Sequence, residues 1–251
     1  PLLVRNGFRG RIYATKPTTQ LCSIMLRDSA HIQESDAEYQ NRKNQRAGRP
    51  NVEPLYTVAD AMRVPEFLQT CEYHQTVDVC EGVKATFIDA GHLLGSASIL
   101  MELTEGGEKR NIVFSGDIGN VDQPIIRDPQ FFGGADYVVM ESTYGNRNHT
   151  EVWSYTDDLA QIIDETLGRG GNVVIPSFAV GRTQELLYFI REIKDRHLVT
   201  SVQDFPVYVD SPLAKSATRI FCGDLRGYLD EEALALVQDG THMFNFPGLH
   251  L

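Results

Sequence analysis

Residues 90–97 read Ala90-Gly91-His92-Leu93-Leu94-Gly95-Ser96-Ala97. The runs on either side, Val83–Ala90 and Ala97–Leu103, are apolar and rich in β-formers, so this segment reads as a loop between two strands. It places an imidazole at a strand end, between glycines that permit tight backbone geometry. A histidine so placed suits metal ligation or general base work, although on its own a hydrogen-bonded turn histidine is the commoner case. The arrangement then repeats. Val113-Phe114-Ser115-Gly116-Asp117-Ile118-Gly119 runs an apolar strand into a carboxylate flanked by glycines, and Tyr137-Val138-Val139-Met140 delivers Glu141-Ser142-Thr143-Tyr144-Gly145. A carboxylate can bridge two cations through its two oxygens; its ordinary role at such a place is to cap a turn. If the three strands are neighbours, His92, Asp117 and Glu141 converge on one rim, which raises a site above three unrelated turns.

The composition sets limits. The chain has 251 residues, 42% of them hydrophobic and 23% charged, enough for a sizeable core and unlike a disordered chain or a disulfide-stapled mini-domain. No run approaches the roughly 18 apolar residues of a membrane span, so no membrane role is expected. Lys and Arg number 23 against 34 Asp and Glu, a net charge of −11. That balance disfavours binding nucleic acid over the whole surface, and still permits a local basic groove or a metal-centred site. Cys22, Cys71, Cys80 and Cys222 form no CxxC pair, so no thiolate zinc cluster is expected and a reducing, cytoplasmic setting fits.

Seven strands are expected: Gly10–Thr15, Val83–Ala90, Ala97–Leu103, Asn111–Gly116, Asp136–Met140, Asn172–Ile175 and Pro206–Val209. Helical spacing marks Glu34–Arg49 as a polar exposed helix, Val58–Thr70 after a Thr57 cap, Asp157–Leu167, and Thr183–His197. Before residue 150 the strands follow one another with tight turns such as Glu105-Gly106-Gly107-Glu108, and after it strand and helix alternate as in parallel βαβ units. A domain boundary is therefore expected near Gly145–Glu151, dividing 1–149 from 150–251. The chain opens at Pro1 rather than Met and closes on Phe244, Phe246, Leu249 and Leu251 without a closing element, so it is expected to be an internal piece of a longer protein.

Softer signals follow. Pro176-Ser177-Phe178-Ala179-Val180-Gly181-Arg182-Thr183 joins a strand to a helix, and Ser177 and Arg182 beside free helix amides could seat a phosphate; a capped turn is the plainer alternative. Asp210-Ser211-Pro212 reads as a helix cap, with Pro212 at the helix start. Arg42, Lys43, Arg46 and Arg49 form a basic patch able to touch RNA phosphates or simply to be solvated. His149 fits either a cleft or an exposed loop, His31 opens a polar helix, and His74, His197, His242 and His250 carry no assignment.

Taken together, the motifs resemble the β-CASP nucleases of the metallo-β-lactamase superfamily, the group of the pre-mRNA 3′-end processing endonuclease and its bacterial and archaeal relatives. The resemblance rests on AGHLLGSA around His92, FSGDIGN around Asp117 and ESTYGNR from Glu141. It extends to NGFRGRIYAT (6–15), DSAHIQESDAEY (28–39), IPSFAVGRTQELL (175–187) and VDSPLAKSAT (209–218), and so covers essentially the whole chain. It implies an α/β fold: part of an αββα sandwich over 1–149, and from 150 the first part of an inserted parallel-sheet domain. It also implies that His92 ligates one zinc, that Asp117 bridges a two-zinc centre, and that Glu141 is an acidic catalytic residue at the entry to the insertion. The implied activity is hydrolysis of single-stranded RNA, leaving 5′-phosphate and 3′-hydroxyl ends, with a homodimer left open.

The departures matter too. The family's HxHxDH motif is absent, since no two of the seven histidines stand one apart, and by the resemblance it would precede Pro1. Two metal ligands remain where a tetrahedral zinc takes about four, so this chain alone is expected to bind zinc weakly or not at all and to be inactive. Two alternatives stand beside the nuclease: a small-molecule metallo-hydrolase on the same sandwich, and a non-catalytic scaffold homologue. A nucleotide-binding module is more remote, because no GxxxxGK[ST] loop is present.

Overall fold

The structure is a computed structural model that describes residues 1–147, 155–239 and 243–251. The fold is mixed α/β, with parallel and antiparallel sheets, and resolves into two compact units, Pro1–Gln75 and Thr76–Leu251. The junction expected at 149/150 lies outside the described residues, as do His149 and His242.

In the first unit, α1 (Leu2–Arg5) leads to β1 (Ile12–Thr15) and then to α2 (Lys16–Ala47), a helix of 32 residues. Thr15 caps α2 through its hydroxyl, Pro17 sits in the first turn, and Gly48 ends the helix in the left-handed region at φ 65°. The helix expected over Glu34–Arg49 is thus the second half of a longer one. The chain then folds back along it: Asn44 Nδ2 donates to the Pro50 carbonyl, and Asn41 exchanges two bonds with the Val52 backbone. α3 (Val58–Arg63) starts in a Thr57–Asp60 capping box but stops early. Pro65 falls in a 3₁₀ turn over Val64–Phe67, and β2 (Leu68–Cys71) follows, parallel to β1, where a helix to Thr70 was expected.

The second unit is built on a five-stranded sheet: β3 (Thr76–Cys80), β4 (Val83–Asp89), β5 (Ala97–Glu105), β6 (Glu108–Phe114) and β7 (Tyr137–Val139). They lie in chain order, antiparallel except for the parallel β6–β7 pair. It follows that β4, β6 and β7 run the same way and deliver their carboxyl ends to one edge of the sheet. β7 is an outer strand with apolar residues uncovered: Tyr137, Val138 and Val139 are each more than half exposed.

Helices α4 (Tyr155–Gly168), α5 (Arg182–Asp195), α6 (Pro212–Phe221) and α7 (Glu231–Gln238) follow, with β8 (Val207–Tyr208) paired in parallel to β9 (Leu249–His250). The strand expected at Asn172–Ile175 is not formed: the segment has no ladder partner among the described residues, and Val174 is 86% exposed. β-formers alone do not make a strand without a neighbour to take the backbone hydrogen bonds. Buried Gln184 ties α5 to α6, its Nε2 donating to Thr218 Oγ1 at 2.9 Å while its Oε1 accepts from Gly181 N at 2.8 Å.

The loops after β4 and β6 are stacked backbone on backbone. Gly119 N donates to the Ala90 carbonyl at 2.9 Å, and a Cβ on Gly119 would fall 1.6 Å from the Gly91 oxygen. Gly91 itself sits at φ 61° with Pro129 directly above it. Gly119→Ala must therefore push the loops apart. We expect it to cost about 3 kcal/mol and lower the thermal midpoint by on the order of 10 °C. Gly133→Ala, with nothing within 4 Å of the added carbon, is the neutral control in the same melting experiment.

Asp164 of α4 fastens the chain beyond α5. Its Oδ1 accepts from Thr200 N and Ser201 N, both at 2.7 Å, and bonds from Ser201 and then Thr200 hold its carboxyl below the usual carboxylate range. A depressed carboxylate stabilises the fold above its unfolded pKa of about 3.9, and that stabilisation is lost as pH falls through the folded value. Asp164→Asn should lower the urea midpoint at neutral pH, with the gap to wild type closing in a pH series taken below about 4.

Candidate active site

The loop carrying His92 is closed on its own polar groups. The buried Asp89 at the end of β4 accepts from Gly91 N at 2.9 Å. Ser96 Oγ accepts from both His92 N and Leu93 N at 3.1 Å, so the histidine backbone is fixed from within the loop. The imidazole remains 42% exposed at the sheet edge.

Asp117 reaches the same edge from β6. Its Oδ2 stands 4.0 Å from His92 Nε2, and its side chain is 72% exposed. Ser115 fastens the two strand ends that meet here: its N donates to the Val139 carbonyl at 2.9 Å, and its Oγ accepts from Glu141 N at 3.1 Å. Glu141 is thereby brought beneath the Asp117 loop, where its Oε1 accepts from Ile118 N. That amide, then the Thr143 hydroxyl, and lastly the charge of His92 hold the Glu141 carboxyl below the usual range, so it is an anion at neutral pH. The three strand-end groups expected to converge do so.

The amino end of α5 lies against this corner. Gly181, at φ 85°, packs so tightly on Leu93 that a Cβ would fall 2.5 Å from Leu93 Cδ2. Gly181 and Glu185 line one small cavity together with His92 and Leu93. Arg182 is not a free cation: its guanidinium is paired with Glu185 at 2.7 Å. The Glu185 carboxylate is largely buried, and burial pushes its pKa up against the pull of Arg182 and His92. Ser177 is turned to its own loop, sharing a 2.9 Å hydrogen bond with Thr183 Oγ1. Ser211 is a cap, its Oγ accepting from Ala214 N at 3.1 Å. Sequence reading missed Glu185; its signal was an acid one turn after Arg182, in the first turn of a helix following the expected phosphate loop.

The donor set suits zinc in kind and falls short in number. His92 Nε2 and Asp117 Oδ2, 4.0 Å apart, would have to draw closer before both could bind one tetrahedral zinc at bonds of about 2 Å. Glu141 is engaged by the Ile118 amide, and no group of three or more His, Cys, Asp and Glu poised for a metal exists among the described residues. The fit is half of a tetrahedral site. Among the described residues no helix is long and apolar enough to cross a membrane.

Residues 183–251 match the Beta-Casp domain. A ribonuclease of Thermus thermophilus is 32% identical over the whole of this chain and 52% of its own length. An endoribonuclease of Schizosaccharomyces pombe is 30% identical over 88% of this chain and 26% of its own. A transcription termination factor of Pyrococcus abyssi is 31% identical over 84% of this chain and 30% of its own. The chain thus spans about half the length of the Thermus relative and a smaller share of the other two. Residues 183–251 thus match a Beta-Casp domain, and the chain along its whole length is similar to a ribonuclease.

Proposed function

We propose that this chain forms part of a zinc-dependent ribonuclease that cuts single-stranded RNA at phosphodiester bonds, most of the metal set being supplied by a longer parent protein. The observation that carries the reading is the approach of His92 to Asp117, 4.0 Å apart on loops from different strands. Relatives named ribonuclease and endoribonuclease support RNA as the substrate class.

In this reading His92 and Asp117 hold zinc, which when bound supplies a water of lowered pKa and positive charge beside the reacting oxygens. Asp117, with its exposed carboxylate, would add its oxygens to that metal set. Glu141, anionic and fixed by the Ile118 amide, keeps the Asp117 loop in register with β7 and places a negative charge near His92. Arg182 binds a substrate phosphate by exchanging Glu185 for it, the guanidinium moving from one anion to another. Ser177 plays a smaller part, since reaching a phosphate requires breaking its bond to Thr183. A reducing cytoplasm suits the four free cysteines, and burial pushes the Cys71 thiol up to about 11.

Two measurements test this. In the parent protein, Asp117→Ala should reduce cleavage of a labelled RNA by at least about a thousandfold, as loss of a metal bridge removes several kcal/mol of charge stabilisation. Turnover near wild type would discard the assignment. The chain by itself, dialysed against zinc and analysed for metal content, should retain well under one ion per molecule; tight stoichiometric zinc would contradict the half-site.

A further inference from the structure

The basic residues of α2 play no part in the site just described. Arg42, Lys43 and Arg46 occupy the last turns of that helix and Arg49 follows its Gly48 cap; all four are exposed. No ion pair engages any of them among the described residues. Lys43 instead lies over the ring of Tyr39, 4.3 Å from its centroid, and Tyr39 is 53% exposed. Positions 39, 42, 43 and 46 recur at i, i+3, i+4 and i+7, so the aromatic ring and three cations share one side of the helix.

The charge is placed against the trend of the molecule. Residues 1–75 carry ten basic and eight acidic side chains, whereas residues 76–251 carry thirteen and twenty-six. Four unpaired cations on the less acidic unit make a surface complementary to a polyanion. Beside them lies a hollow of about 480 Å³ between α2 and the returning chain, lined by Tyr39, Gln40, Val52, Pro54 and Leu55 among others. Its volume takes a nucleobase readily. Its acids, Asp36 and Glu53, suit the donor edge of a base rather than a phosphate, and Glu53 is already paired with Arg5 at 3.5 Å.

We infer that this end of α2 docks single-stranded RNA, with phosphates along Arg42, Lys43, Arg46 and Arg49 and a base against Tyr39 in the adjoining hollow. The inference rests on the proposed RNA substrate for its choice of polyanion. It assigns a second contact with the nucleic acid, outside the hydrolytic corner. The combination of a cationic track and an exposed ring is the usual means of holding a single strand without reading its sequence.

The test is fluorescence anisotropy of this chain with a labelled oligouridine over a range of salt. With four phosphates neutralised, affinity should fall about 50-fold between about 50 and about 200 mM salt. The quadruple variant Arg42→Ala, Lys43→Ala, Arg46→Ala, Arg49→Ala should lose most of that slope and bind at least about tenfold more weakly at low salt. The pairs Arg42→Ala with Lys43→Ala, and Arg46→Ala with Arg49→Ala, should each lose about half the slope, which keeps the test valid if the quadruple variant does not fold. Tyr39→Ala should weaken binding about tenfold for the normal oligomer and leave an abasic one unaffected.

Unchanged affinity and slope in the folded variants would overturn the inference, as would failure of the wild-type chain to bind RNA. So would polyglutamate competing as well as RNA, which would make the partner an acidic protein. If the parent does not cleave RNA while patch-dependent binding persists, the nuclease reading fails and the docking surface stands.

Discussion

Two turns of bare backbone pressed together set the geometry on which the rest depends. The β4 and β6 loops meet through Gly91 and Gly119 with no side chain between them, and the Gly119 amide donates to the Ala90 carbonyl. At that spacing His92, just after Gly91, and Asp117, two residues before Gly119, stand 4.0 Å apart on loops that β5 would otherwise hold a strand apart. Ser115 and Ile118 then recruit Glu141 through two bonds that each join a backbone amide to a side-chain oxygen. The meeting of these side chains is fixed by main-chain amides, each donating to a carbonyl or to a side-chain oxygen held close in the loops.

Much of this was legible because it is local. A histidine after one β-run, an aspartate after a second and a glutamate after a third can be read directly, and the alternation of strand directions puts their ends on one edge. The hairpin at Gly106-Gly107, the Thr57 and Ser211 caps and the helices α4 and α5 follow from turn and capping chemistry in the same way. What escaped was decided at a distance. Asn172–Ile175 has the composition of a strand but no partner, and Leu68–Cys71 has β1 to pair with although its residues read as the tail of a helix. α2 ran past its expected start because its first half, with Pro17, Thr18, Thr19 and Ser23, is a weak helix former that Thr15 capping and burial of Leu21 and Ala30 sustain. Glu185 stayed hidden because its meaning comes from Arg182 and His92, brought to it by the packing of Gly181 on Leu93.

The two anions at this corner are held in opposite ways. Glu141 is kept charged by an amide that points at it, while Glu185 is burdened by burial and relieved by Arg182. Under the proposed function, an incoming phosphate would compete with only one of them. Displacing Glu185 from Arg182 would then leave a largely buried carboxylate in the cavity that His92 also lines.

β7 carries a further consequence. Its outer edge has no partner among the described residues, and Tyr137, Val138 and Val139 leave oily surface on both faces. Such a border is a template on which another strand can zip, whether it comes from the same polypeptide or a neighbour. The backbone that would receive that strand is the one that runs, two residues later, into Glu141. A strand added there would lie directly against the segment that leads into the carboxylate beneath the Asp117 loop.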